Sequence, residues 1–427
     1  MKRILEELTA RQDRRRELIN KIIHTHTGKK GILLFSAGFE RDREPFFQDS
    51  SFHYFVGIQE PALLFVQPLQ GEAVLYEPHY TVKRSIWLPT KKTEKMLEVI
   101  GVSKVLSMGK SVPGYSSGPF FTKDAVEKCV SYLQTVVAAG EFVFTPLESI
   151  DNECLFVIKQ LCQYVPGLEE KLVDISPLIG EIRRKKTMRE LEHMYRAIEI
   201  TAAAQEAAAE TIASGVEEAL VQAAIDYIFA EGKATRAFSS IVGSGKNSTV
   251  LHYVDNNDVM KAGDLVVVDI GASYQHYAAD VTRTYPVSGT FSKRQKEVYT
   301  MVLEAQAHVA DHARPGMYLN NPEHPEQSLH HIAQTFFEEH EVGKYFPHGI
   351  GHFVGLDVHD VGDRTQPLQP GDVITIEPGL YFPEEQLGVR IEDMYWIIED
   401  GSVCLTDGIT KDCTEIEAIM AAALADE

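Results

Sequence analysis

The sequence predicts an α/β amino-terminal domain over residues 1–175 followed by an α+β domain over 176–427, and three observations lead there. At 427 residues the chain exceeds the size at which one hydrophobic core stops growing, which implies two or three domains. Short apolar runs alternate with helix-like stretches as far as Phe142. At Ser176 the character changes: the segment SPLIGEIRRKKTMRELE carries a proline loop, a charge run and then a helix start.

The first domain opens with a polar helix-like stretch to about His24. GILLFSAG from Gly31, ALLFV from Ala62, EAVLYEP from Glu72 and FVFTP from Phe142 then read as strands. In the second domain Thr187 and Glu190 form a capping-box pattern ahead of a long alanine-rich stretch of high helix propensity. Ser214 with Glu217 and Ser292 with Gln295 repeat it, the last opening a helix expected to stop near Arg314, Pro315 and Gly316. Between these lie the strand-like runs LVVVDIGASY from Leu265, DVTRTYPV from Asp280, DVITIEPGLYF from Asp372 and VRIEDMYWII from Val389, read together as a sheet flanked by helices.

A net charge of −21 disfavours nucleic acid and anionic membranes, because neutralising phosphates takes a basic face. The basic runs Arg14–Arg16 and Arg183–Lys186 read as solvated helix faces or a linker. The opening residues lack the apolar stretch of a secretory signal, and no apolar run is long enough to span a bilayer. Five scattered cysteines without a CxxC pair suit reduced thiols, so a cytoplasmic location is expected.

Acidic side chains interrupt apolar strands. Asp269 ends LVVV, Glu377 follows VITI and Glu392 sits within VRIEDMYWII. A buried carboxylate costs several kcal/mol unless it is paired, hydrogen-bonded or bound to metal, so each needs a compensating partner. PHGIGHFVGLDVHDVG, residues 347–362, gathers His348, His352, Asp357, His359 and Asp360 among glycines that permit close approach to a ligand. Neutral imidazoles serve as metal ligands or proton carriers.

HGIGHFVGLDVHD from His348 resembles the signature of the pita-bread metallopeptidases, in particular the proline-specific branch of aminopeptidase P and prolidase. VLHY at Val250, VVVDIGASYQHYAADVTRTYPVSG at Val266, TIEPGLY at Thr375 and GVRIEDM at Gly388 accompany it in order, and QDSSFHYFVGIQEP at Gln48 is similar to the aminopeptidase P amino-terminal domain. The aspartate spacing, 280 − 269 = 11, also matches.

The resemblance implies a pita-bread catalytic domain in which Asp269, Asp280, His352, Glu377 and Glu392 bind two divalent metal ions. So oxygen-rich a ligand set favours manganese, with cobalt, iron or zinc tolerated. It further implies that Glu377 doubles as general base, that His252, His348 and His359 bind substrate and stabilise the oxyanion, and that Arg390 and Tyr381 support the ligands. Thr282, two residues after Asp280, faces the same side of a strand and is expected to hydrogen-bond the metal-bridging oxygens. Trp87 resembles a substrate-pocket position, and His276 in YQHY is read as structural or surface.

The implied activity is removal of an N-terminal residue preceding proline, by a homodimer or homotetramer. A prolidase confined to Xaa-Pro dipeptides is the alternative. A non-catalytic scaffold is disfavoured by the five intact ligands, and a methionine-type aminopeptidase by the large amino-terminal domain.

Overall fold

The computed structural model describes residues 2–40, 45–82, 84, 94–112, 122–148 and 152–425; Trp87 lies outside them. The chain divides into two compact units, Met1–Ile182 and Arg183–Glu427, and the segment from Ser176, read from the sequence as a proline loop at the domain boundary, is a helix.

The first unit contains α1 (Lys2–Thr25), β1 (Gly31–Ser36), α2 (Ser50–Phe55), β2 (Leu64–Pro68), β3 (Ala73–Glu77), α3 (Glu94–Val99), β4 (Val102–Ser107), α4 (Glu127–Ala138), β5 (Phe142–Thr145), α5 (Asn152–Tyr164), β6 (Leu172–Asp174) and α6 (Ser176–Arg183). Its six strands form one sheet in the order β4-β3-β2-β1-β5-β6. The central strand β1 is antiparallel to β2 and parallel to β5. Every residue of β1 is buried, as its unbroken apolar run requires of a strand covered on both faces. Arg15 departs from the expected solvated face: it is buried, with its guanidinium donating to the carbonyl oxygens of Phe55 (2.5 Å) and Ile100.

The second unit contains α7 (Met188–Thr211), α8 (Glu218–Glu231), β7 (Thr235–Arg236), β8 (Ile241–Ser244), β9 (Leu265–Ile270), β10 (Ala272–Tyr274), β11 (Tyr277–Ala278), β12 (Val281–Pro286), α9 (Lys293–Ala310), α10 (Leu329–Glu339), β13 (Val373–Ile376), β14 (Gly379–Phe382), β15 (Leu387–Arg390), β16 (Asp393–Ile398), β17 (Gly401–Cys404) and α11 (Cys413–Ala425). Capping boxes open α7 at Thr187 and α9 at Ser292. The third pattern forms no cap. Glu217 is the N-cap of α8, and Ser214 Oγ instead accepts the Ala262 N–H. Helix α9 also ends earlier than expected, at Ala310.

In place of one sheet the strands group as β12-β9-β8, β13-β16-β17, β14-β15 and β11-β10-β7. The breaks have a local cause. Ile376 pairs with Asp393 and Gly379 with Arg390, leaving Glu377–Pro378 opposite Ile391–Glu392 as an irregular step. There Glu392 N–H turns aside to the Thr282 carbonyl (3.1 Å), so VRIEDMYWII runs as two strands. The basic run at the start of this unit is also not solvated: Arg183, Arg184 and Lys186 are buried and only Lys185 is exposed. No described helix is long and apolar enough to cross a membrane.

Candidate metal centre and active site

Two antiparallel strands and two strand breaks bring the acids together. Asp269 on β9 lies opposite Thr282 on β12, and Asp280 stands one residue before β12. Glu377 and Glu392 occupy the facing breaks, and His352 is carried by the loop before β13. That loop is sewn to β13 by Thr375: its Oγ1 accepts the His352 N–H (3.0 Å) and donates to Glu377 Oε1 (3.2 Å). Gly351 must be glycine here, since a Cβ would lie 2.1 Å from the Thr375 carbonyl oxygen. Nothing local in the sequence singled out Thr375; its part depends on contacts with two other segments.

Asp280, His352 and Glu392 bring one ligand atom each within 4.8 Å of one another. His352 Nε2 is 3.4 Å from Asp280 Oδ2 and 3.4 Å from Glu377 Oε1. Its other nitrogen, Nδ1, faces the Phe353 carbonyl oxygen at 3.1 Å, an acceptor only, which fixes the proton on Nδ1 and turns the Nε2 lone pair toward the carboxylates. Oxygen lone pairs and an imidazole lone pair aimed at one another repel unless a cation stands between them. Burial, then Asp269 and Glu377, pushes the Asp280 carboxyl well above the carboxylate range; burial, then Asp280 and Glu377, does the same to Glu392. Asp269 Oδ1 is buried without a hydrogen-bond partner. The donor set and this uncompensated charge fit divalent cations.

Arg390 braces the centre. Its Nη2 donates to Asp269 Oδ2 (2.7 Å), Nε to Thr282 Oγ1 (3.1 Å) and Nη1 to Tyr381 OH (2.9 Å). Thr282 Oγ1 in turn donates to Glu392 Oε2 (2.7 Å), so Thr282 touches one of the clustered carboxylates directly. Tyr381 OH is 3.0 Å from His348 Nε2, while His348 Nδ1 donates to the Gly349 carbonyl (2.9 Å). Both His348 nitrogens are therefore engaged within the chain. Burial and then Arg390 lower His348 to about 4, which keeps it neutral at pH 7. His359 packs its ring edge-on against His352, with centroids 4.2 Å apart; partial burial and then His352 lower it to about 4 as well. His252 is exposed, near enough for its charge to depress both. His276 sits at the tip of the β10–β11 hairpin with φ 72°, outside this cluster.

The segment bearing His352 and His359 has its own buried anchor. Arg183 Nη2 donates to Asp357 Oδ2 and Asp360 Oδ1 (2.7 Å each), and Lys186 Nζ to Asp360 Oδ2 (3.0 Å).

Residues 192–399 match Metallopeptidase family M24, and residues 11–112 match the Aminopeptidase P, N-terminal domain. Fold and site thus define a metallopeptidase, a hydrolase that uses divalent metal ions, with an aminopeptidase P-type domain ahead of it. The Xaa-Pro aminopeptidase of Escherichia coli is 32% identical over 89% of this chain and 90% of its own, and human Xaa-Pro aminopeptidase 3 is 31% identical over 88% and 76%. A point variant of Escherichia coli aminopeptidase P in complex with substrate superposes with a TM-score of 0.80 at 28% identity, covering 98% of this chain and 99% of that one. The Xaa-Pro dipeptidase of Pyrococcus furiosus is 40% identical, but over only 54% of this chain and 66% of its own. The chain belongs to the Xaa-Pro aminopeptidase (aminopeptidase P) family of pita-bread metallopeptidases.

Proposed function

We propose that this enzyme hydrolyses the peptide bond between an N-terminal residue and a following proline. Asp269, Asp280, His352, Glu377 and Glu392 would hold two divalent cations, manganese foremost. The observation that carries the reading is the His352 Nε2 lone pair turned into a buried group of carboxylates, in a chain whose likeness to Xaa-Pro aminopeptidases spans both units. Bound there, divalent cations polarise the scissile carbonyl and lower the pKa of a water molecule.

The remaining chemistry belongs to the side chains. Glu377 takes the proton of the attacking water on a carboxylate oxygen and returns it to the prolyl nitrogen, which carries no hydrogen in the peptide. Thr375 Oγ1, donating to Glu377 Oε1, steers the other oxygen toward the substrate. His359, neutral and at the edge of the ligand shell, offers an N–H to the oxygen that becomes negative, and His252 closes over the substrate from its exposed loop. His348, with both nitrogens engaged, acts by bracing Tyr381 and through it Arg390. Association into a dimer or tetramer and a cytoplasmic location belong to the same reading.

Incubation of the manganese-loaded enzyme with Ala-Pro and Ala-Pro-Ala tests it. Release of alanine from the tripeptide is expected, and cleavage of the dipeptide alone would make the enzyme a prolidase.

A further inference from the structure

Glu218 is fully buried and far from the metal centre in sequence. It is the first residue of α8, and its carboxylate collects donors from the segment 244–258. Oε1 accepts from Ser244 N–H (2.8 Å), Ser244 Oγ (2.7 Å) and Asn247 Nδ2 (3.2 Å). Oε2 accepts from Tyr253 OH (2.8 Å) and Asp258 N–H (2.9 Å). These donors lie on both sides of His252. A carboxylate, which accepts on both oxygens, suits donors converging from so many directions, and the positive end of the helix macrodipole favours an acidic side chain there.

The segment is tied twice more. Asn256, with φ 46°, accepts Val242 N–H on Oδ1 (2.9 Å) and donates from Nδ2 to Gln222 Oε1 (2.8 Å) and the Ser240 carbonyl (2.7 Å). Ser248 Oγ accepts the Gly388 N–H (2.8 Å), and a Cβ on Gly388 would lie 2.0 Å from the Ser248 carbonyl oxygen. One side of the segment is thus fixed to α8 and another to β15, the strand that carries Arg390. His252 is exposed and lies in the chain between the anchored Ser248 and Tyr253.

We propose that Glu218 is a positioning residue that holds the 244–258 segment in the conformation presenting His252 to substrate beside His348 and His359. This rests on the reading that His252 contacts substrate. A glutamine would turn an N–H₂ toward groups that are themselves donors, and an aspartate is too short to reach both ends of the segment.

The test is a double-mutant cycle in the full-length, manganese-loaded enzyme, reading KM and kcat on Ala-Pro-Ala, together with amide hydrogen exchange of residues 244–258. Glu218→Gln and His252→Phe should each lower kcat/KM by roughly 10- to 100-fold, the scale on which small misplacements of a contacting group act. The double variant should fall no further than His252→Phe alone, and exchange across 244–258 should accelerate in Glu218→Gln with metal binding retained. Should Glu218→Gln not fold, Tyr253→Phe, which removes one donor, replaces it in the cycle with an expected loss of about 3-fold. If the two losses multiply in full, or exchange in 244–258 stays at the wild-type rate, Glu218 does not act through His252 and the proposal is overturned. Wild-type activity of His252→Phe by itself would instead remove the premise, and the proposal with it.

Discussion

Replacing Thr282 by valine isolates one strut of the metal centre. Thr282 is fully buried, and its Oγ1 donates to Glu392 Oε2 at 2.7 Å while accepting from Arg390 Nε at 3.1 Å. Valine keeps the branched shape and loses both bonds. A hydrogen bond to a charged group is worth about 1.5–3 kcal/mol, and Arg390 retains Asp269 and Tyr381, so a loss near 2 kcal/mol is expected. Much of it should appear as metal affinity, because the freed Glu392 carboxylate must be reoriented on binding. A loss of 2 kcal/mol is about 30-fold, inside the 10- to 100-fold range for outer partners of metal ligands. Calorimetric titration of Mn²⁺ into the stripped variant measures it. The dissociation constant should rise about 30-fold, while kcat at saturating metal stays within about 3-fold and Thr282→Ser restores both. An unchanged dissociation constant, or a serine variant as weak as the valine one, would refute the assignment of Thr282 to ligand orientation.

Glu377→Gln should keep the fold and lower kcat by about 10²- to 10⁴-fold, measured in parallel with metal content so that loss of the base is separated from loss of a ligand. Adding Mn²⁺ to stripped enzyme should raise the melting temperature as its concentration rises, each bound ion stabilising the fold by about 2.7 kcal/mol at a hundredfold excess over its dissociation constant; a flat response in scanning calorimetry would contradict a centre whose carboxylates repel one another. The Asp360 carboxyl, pushed up by burial, is held below the usual range overall by Lys186 and Arg183. A depressed carboxyl contributes stability above its unfolded value of about 4 and loses it as pH falls through the lower folded value. Lys186→Met should therefore cost about 3 kcal/mol at pH 7 and progressively less below pH 4, read from denaturant unfolding across that range. An equal cost at pH 7 and pH 3 would show that the ion pair is not its source.

What could be read from the residues and what could not divides along the range of the interactions. Thr187 with Glu190 and Ser292 with Gln295 cap helices because each box closes within four residues, and LVVVDI forms a buried strand because its β-branched run has no polar face. Ser214 with Glu217 has the same spelling and no cap, since Glu217 bridges to Val259 and Glu218 is drawn to residues 244–258. The run Arg183–Lys186 looks like a solvated stretch for the same reason: the aspartates that bury it lie 174 to 188 residues further on. Thr375, Glu218 and the Tyr381–His348 contact belong with these. The acids at 269, 377 and 392 stood out because carboxylates are out of place in apolar strands, a mismatch visible in each segment alone, whereas Asp280, at the head of its run, was marked only by the family resemblance and its spacing from Asp269.

Burial by itself does not mark a site, and the second unit separates two kinds of buried acid. Asp393 is fully buried, yet Arg283 Nη2 and Thr406 Oγ1 reach its Oδ1 (2.7 and 2.6 Å) and Lys411 Nζ its Oδ2 (2.6 Å), and the two cations outweigh desolvation to hold its carboxyl low. Asp360 has Arg183 and Lys186 to the same end. Glu392, the residue next to Asp393, is buried as deeply and pushed the opposite way, by burial and then by Asp280, Glu377 and Asp269. Adjacent carboxylates on one turn of backbone thus differ in whether the chain supplies its own counter-charge. Where it does, the acid is a strut. Where it does not, as at Asp280, Glu377 and Glu392, with the His352 lone pair beside them, the missing positive charge has to come from outside the chain. Arg390 cannot supply it alone: a single guanidinium, its three nitrogens turned to Asp269, Thr282 and Tyr381, stands against four clustered carboxylates.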